Sequence, residues 1–158
     1  MKLQDVVVAD AVVPELKSME RDEVIAELVD SVIAASAAPK NLRNELIEQI
    51  LEREKGGSTG FGKGVAVPHV KHPKIKKMVA AIGISQRGVD FNALDKASVY
   101  CVILLLSPKD KPEDHLHAME CIFSNLQKDQ FRRFIRQATT CQEVVDLIVE
   151  ADMQQLQG

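Results

Sequence analysis

Strong charge of either sign is missing from this sequence: its net charge is −3 over 158 residues, too small to draw the chain to nucleic acid or to a membrane surface. No apolar run is long enough for a membrane-spanning helix and no secretory signal opens the chain, so a soluble, cytoplasmic protein without membrane insertion is expected. Cysteine is scarce. Cys101, Cys121 and Cys141 are odd in number, show no C-x-x-C spacing and sit in no matching repeat, which argues for reduced, buried thiols and against a metal cluster. Tryptophan is absent, although apolar content is otherwise ordinary. The length suits one domain over residues 1–158 with a single sizeable core and a frayed tail from about residue 152.

Glycine is also sparse, and its distribution is uneven. Five of the eight glycines, Gly56, Gly57, Gly60, Gly62 and Gly64, fall within nine residues of the stretch Arg53–His72, REKGGSTGFGKGVAVPHVKH. Glycine carries an entropic cost, so this density is expected only where the chain takes positive φ or approaches something closely. A nucleotide P-loop is excluded by order. It requires a strand before the glycines and Gly-Lys-Ser/Thr opening a helix after them, whereas Gly62-Lys63 leads into Gly64 and the β-branched run Val65–Val67. A dinucleotide fingerprint fails for the same reason. What is left is a glycine loop feeding a short strand that ends at Pro68, which lacks an N–H and belongs at a strand end or edge. His69 then stands on a stiff support where the chain leaves the sheet. Its imidazole can take a phosphoryl group, bind a metal or shuttle protons, or it can merely cap a strand.

The flanking segments read as elements of an α/β domain. Residues 1–17 suggest a short helix and then an extended segment broken at Pro14. Val24, Ile25, Leu28, Val29, Val32 and Ile33 recur at three and four, predicting an amphipathic helix with Ser18 as its cap. A second helix from about Asn41 buries Leu42, Leu46, Ile47, Ile50 and Leu51 and carries Arg53 at its C-terminal end, where a cation suits the helix dipole. The basic patch Lys71, Lys74, Lys76 and Lys77 is either a solvated face or a docking surface for an acidic partner. Pro73 argues against a helix joining His69 to His72, and His72 is expected to be exposed. Met78–Ile84 and Ser98–Leu106 are predicted strands, the second (VYCVILLL) buried on both faces in mid-sheet. QRGVDFNALDKA between them reads as a loop. After Pro112, Leu116, Met119, Phe123 and Leu126 form a helical stripe. His115 and His117 lie about 200° apart on that helix, so only one can reach a given site, and His115 shares its face with Met119. A short helix around Phe131–Ile135 follows, and then a capping box at Thr140 and Glu143 opens a last helix. This order predicts a three-layer α/β sandwich, with a small mixed β-sheet flanked by helices.

The run STGFGKGVAVPH, with Arg53 upstream and DHLHAM around His115, resembles the IIA domains of the bacterial phosphoenolpyruvate-dependent phosphotransferase system, fructose/mannitol type, nearest the nitrogen-regulatory enzyme IIA branch. That resemblance spans nearly the whole chain in element order and implies the same fold class. It implies His69 as the acceptor of a phosphoryl group from a histidine-containing phosphocarrier protein, with His115 as the second active-site histidine and Arg53 as the active-site arginine. Downstream it implies a sugar-transporter domain or a regulatory target protein, and no cofactor. The loop residues Ser58, Thr59, Gly60 and Gly62 are the candidate phosphoryl or partner contacts through their N–H groups. Val70 departs from the small residue usual after the histidine. Two alternatives stand beside this reading: a binding module that keeps the fold without transfer, and a metal site on His69 and His115, which lacks acidic or thiol ligands nearby.

Overall fold

The computed structural model describes residues 1–154. Five strands make one mixed sheet: β1 (Val7–Val13), β2 (Val65–Ala66), β3 (His69–His72), β4 (Val79–Val89) and β5 (Val99–Pro108). Five helices cover it: α1 (Arg21–Ala34), α2 (Arg43–Lys55), α3 (Pro112–Leu126), α4 (Asp129–Gln137) and α5 (Cys141–Asp152). The strand order is β1-β4-β5-β2, with β3 also on β5. Only β4 and β5 run antiparallel; the other pairings are parallel.

The near-continuous apolar run predicts the centre of this sheet. Strand side chains alternate between faces, and β5 is flanked by neighbours on both edges, so each face of it must be covered. Cys101, Ile103 and Leu105 pack with Ile122, Phe131, Val144 and Ile148 of α3, α4 and α5. Val102, Leu104 and Leu106 pack with Val24, Ile25, Leu28, Leu46 and Ile50 of α1 and α2. Two cores, one on each face, make the three-layer sandwich that the element order predicts.

The N-terminal segment follows expectation: after a 3-10 turn over Leu3–Asp5, β1 joins the sheet as an edge strand parallel to β4. Other expectations need correction. Ser18 does not cap α1. The helix starts at Arg21 after Glu20, and Glu27 instead reaches back to accept the N–H groups of Lys17 and Ser18. Strand β4 runs on to Val89, past the expected loop start, after an irregularity between Ile84 and Val89. Leu116 lies outside the buried stripe of α3 and is 57% exposed; His115, Ala118, Ile122, Asn125 and Leu126 form that stripe instead. Thr140 caps α5 by accepting the Glu143 N–H, as expected, but the Glu143 carboxylate takes the Thr140 hydroxyl rather than a backbone group. Cys101 is buried and the other two cysteines are half-buried; all three are free thiols. At the C-terminus, Asp152 still belongs to α5, and its carboxylate accepts the N–H groups of Leu3 and Gln4. The rest of the expected frayed tail, from residue 155, lies outside the described residues.

Candidate functional site

The glycine loop does not release His69 from the sheet. β2 pairs with Cys101 and Val102 of β5, the chain breaks at Val67-Pro68, and β3 resumes on the same strand with His69 opposite Leu105. Pro68 causes the break because it has no N–H to give the ladder, though its carbonyl still accepts the Leu105 N–H at 3.0 Å. The interruption leaves the Val67 carbonyl available. His69 Nδ1 lies 2.8 Å from that oxygen, and because a carbonyl can only accept, Nδ1 carries the proton. The Nε2 lone pair is thereby left open.

His69 shares its sheet face with Leu105, on the α3 side, and α3 brings His115 to it. The two rings lie 5.4 Å apart between centroids, tilted by 49°. His115 is 9% exposed and its Nδ1 sits 2.7 Å from Ser107 Oγ, near the end of β5. Ser107 is fully buried and its hydroxyl has no other partner among the described residues, so it donates to Nδ1 and the His115 proton resides on Nε2. One histidine thus offers a lone pair and the other an N–H. His117 is exposed on the opposite side of the helix, as the 200° offset requires.

An open cleft of about 530 Å³ lies here, lined by Arg53, His69, Val70, Lys71, Lys109 and His115. Arg53 stands in the last turn of α2 and is held by its Nη1 donating to the Gly57 carbonyl at 2.7 Å. Its place as a helix-end charge and its place in the cleft are therefore compatible. Burial lowers the pKa of His69, with the nearby Arg53 and Lys71 adding to the effect against the Val67 hydrogen bond. Burial, reinforced by the His69 and Lys71 charges, pushes His115 down to about 4. Both rings are neutral at pH 7. The cleft is a cationic pocket around an uncharged imidazole.

The loop residues fall elsewhere. None of Ser58, Thr59, Gly60 and Gly62 lines the cleft. Thr59 is fully buried, and its N–H and hydroxyl both donate to the buried Glu54 carboxylate. The Gly60 N–H donates to Ser58 Oγ at 3.0 Å. These amides are spent on holding the loop, whose tight course needs φ of +116° at Gly62 and +77° at Gly64. The loop then reaches the site through a chain of bonds: the Thr59 carbonyl accepts the Val67 N–H at 3.3 Å, and the Val67 carbonyl holds His69.

His72, expected to be exposed, is buried at 2% and satisfied at both nitrogens. Its Nδ1 accepts the Lys74 N–H, so its Nε2 donates to Glu45 at 3.0 Å. Alternation in β3 turns it away from His69, onto the α2 side. Two members of the site escaped the sequence reading. Lys109 follows β5 in sequence, with no local pattern to single it out. Ser107 carried a signal: a hydroxyl closing a buried apolar strand must find a partner.

The fold has several solved counterparts. The crystal structure of nitrogen regulatory protein IIA-Ntr from Neisseria meningitidis superposes with a TM-score of 0.81 at 22% identity, covering 90% of this chain and 96% of that one. IIA mannitol from Escherichia coli gives 0.75 at 19% identity, covering 89% and 97%. A three-layer α/β domain of the IIA type is thus the class. The chain belongs to the family described as phosphoenolpyruvate-dependent sugar phosphotransferase system, EIIA 2, whose profile matches residues 6–151. Among similar sequences is the nitrogen regulatory protein of Bradyrhizobium diazoefficiens, 33% identical over 150 residues, covering 94% of this chain and 95% of that protein. The fructose-specific EIIABC component of Bacillus subtilis is 28% identical over 152 residues, which span 96% of this chain but 24% of that longer protein.

Proposed function

We propose that the protein is a histidine phosphoryl carrier: His69 takes a phosphoryl group from a histidine-containing phosphocarrier protein and passes it on or signals with it. The observation that carries this reading is the Val67 carbonyl 2.8 Å from His69 Nδ1, which pins the tautomer with Nε2 as nucleophile. In the step, the Nε2 lone pair forms the new N–P bond as the donor's N–P bond breaks in line, and the bonding pair returns to the donor imidazole. The proton stays on Nδ1, donated to the Val67 carbonyl. Arg53, Lys71 and Lys109 neutralise the phosphoryl oxygens, and the His115 Nε2–H donates to one of them. The family and the nitrogen-regulatory and fructose-specific relatives support this reading, and the former favour a regulatory role for the phosphorylated form.

The test is intact-mass analysis after incubation with phosphoenolpyruvate, the general phosphotransferase enzyme and a phosphocarrier. The expected result is one acid-labile phosphoryl group, absent from His69→Ala, with a phosphorus-31 shift typical of Nε2 substitution. No gain with any of several carriers would overturn the proposal.

Acceptance should also follow pH with a definite sign. Only the neutral ring attacks, and burial holds the His69 pKa below its ordinary 6.5. The transfer rate is expected to change little from pH 8 to 7 and to decline only as pH falls through the lowered pKa, further toward acid than an unperturbed imidazole would give, a profile measured by quench-flow with a pH-independent donor. A decline already beginning above pH 7 would contradict the pKa direction.

The departure at Val70 does not favour a module without transfer. Val70 borders the cleft, but it pairs with Leu106 and packs against the α1–α2 core, on the sheet face opposite His69. Val70→Ala is expected to leave the transfer rate within about twofold while costing roughly 1 kcal/mol of stability in urea unfolding. A large acceleration on truncation would show that the branched side chain obstructs the donor.

A further inference from the structure

A second concave cationic surface lies away from His69. It is a cleft of about 520 Å³ between α4, the Lys63–Val65 segment and the start of β5, and Lys63, Arg132, Arg133 and Arg136 line it with Tyr100 and Gln86. His69 sits opposite Leu105, roughly 16 Å along β5 from Tyr100. The volume falls in the range of small-molecule sites, about 300–1,000 Å³.

Its charges are unbalanced. Asp129 is the only acidic residue in the lining, and it is shared between Arg132 at 3.4 Å and Arg133 at 4.0 Å. Among the described residues no carboxylate pairs with Arg136 or Lys63. Like charges gathered in a concavity repel one another, and an anion relieves that cost. The cleft is also built. The Arg136 guanidinium lies over the Tyr100 ring, 3.4 Å from its centroid, which fixes its plane and leaves its N–H edge for a partner. Arg132 is anchored by donating from Nη1 to the Leu126 carbonyl at 2.7 Å. Gln86 Nε2 donates to the Arg136 carbonyl at 3.2 Å, tying the end of α4 to β4. Lys63 is presented from a left-handed turn, at φ +61°, and the next residue's carbonyl accepts the Tyr100 N–H.

We propose that this cleft binds a small molecule carrying two or more phosphate groups. Several guanidinium forks on one wall suit the bidentate geometry of phosphate oxygens, and a single negative charge would leave the excess of cations uncompensated. The site is independent of phosphoryl acceptance at His69.

The experiment is nitrogen-15 NMR titration of the full chain with inorganic pyrophosphate, ATP, inorganic phosphate and citrate at fixed ionic strength. Saturable shifts are expected at Lys63, Gly64, Gln86, Tyr100, Arg133 and Arg136. Pyrophosphate should bind more tightly than phosphate or citrate. Arg133→Gln/Arg136→Gln should weaken pyrophosphate about tenfold or more, the loss expected when charged donors are removed. Both side chains are exposed, so the fold should survive; Lys63→Asn, which tolerates the left-handed turn, serves as a second variant. ATP binding tighter than pyrophosphate assigns the base a place in the cleft, and equal binding assigns the phosphates alone. Citrate binding as tightly as pyrophosphate, shifts confined to Arg53, His69 and Lys109, or no saturable shift at millimolar pyrophosphate would each overturn the proposal.

Discussion

Replacing His115 with alanine is expected to slow phosphoryl acceptance at His69 by about 10²- to 10³-fold, the scale of losing one preorganised donor to a developing anionic centre. The His115 ring lies 5.4 Å from the His69 ring and is held by Ser107, so its Nε2–H stands ready before the donor arrives. Because the ring is neutral, with its pKa pushed down to about 4, it acts as a hydrogen-bond donor and not as a cation. His115→Gln, whose amide can present an N–H at a similar reach, should recover part of the rate. Ser107→Ala should cost about tenfold through the lost tautomer, and imidazole nitrogen-15 shifts should report a mixture of ring forms. Truncation leaves the Ser107 hydroxyl unpartnered, at about 1–3 kcal/mol, so rates must be compared well below each variant's midpoint. An unchanged rate in His115→Ala would remove the ring from the proposed chemistry. The same ring sets an acid limit on stability. Its folded pKa lies below the unfolded 6.5, so the neutral-ring contribution is complete above pH 6.5 and is lost as pH falls toward 4. Urea midpoints of the wild type should therefore drop over that window more than those of His115→Ala.

The layers and the histidine pair were legible because each leaves a one-dimensional trace. The eight-residue run VYCVILLL can be satisfied only in mid-sheet, and the helical stripes of α1 and α2 repeat at three and four. The 200° offset between His115 and His117 leaves room for one of them at a site, and the face that His115 shares with Met119 marks it as the one turned inward. The misreadings share a different cause, since each depended on a partner distant in sequence. His72 looked exposed in a lysine-rich segment, yet Glu45, from α2, completes its burial. The strand break at Pro68 ended nothing because β5 was long enough to accept both pieces. The composition of the glycine loop leaves a sharp turn and a ligand cradle equally open. The Thr59 and Gly60 amides turn inward to Glu54 and Ser58, a choice set by a carboxylate that nothing in the local pattern marks as buried.

That carboxylate carries the second large effect. Glu54 is 2% exposed and accepts both the N–H and the hydroxyl of Thr59, itself without exposure. Glu54→Ala strands two buried donors and opens a void, a loss of about 3 kcal/mol and roughly 6–12 °C in Tm for a chain of this size. Glu54→Gln keeps one acceptor oxygen and should lose about half as much. Because the Thr59 hydroxyl and the carboxylate that accepts it are removed together, Glu54→Ala combined with Thr59→Val should cost less than the two single losses added. The consequence extends to the site, since the Thr59 carbonyl fastens Val67 and the Val67 carbonyl fixes the His69 tautomer. Glu54→Ala should therefore slow phosphoryl acceptance even at temperatures where it is fully folded, with imidazole nitrogen-15 shifts showing His69 no longer confined to the Nδ1–H form. If stability falls as expected while the rate and the ring shifts hold at wild-type values, the loop supports the fold alone, and the geometry of His69 rests entirely on the pairing of β3 with β5.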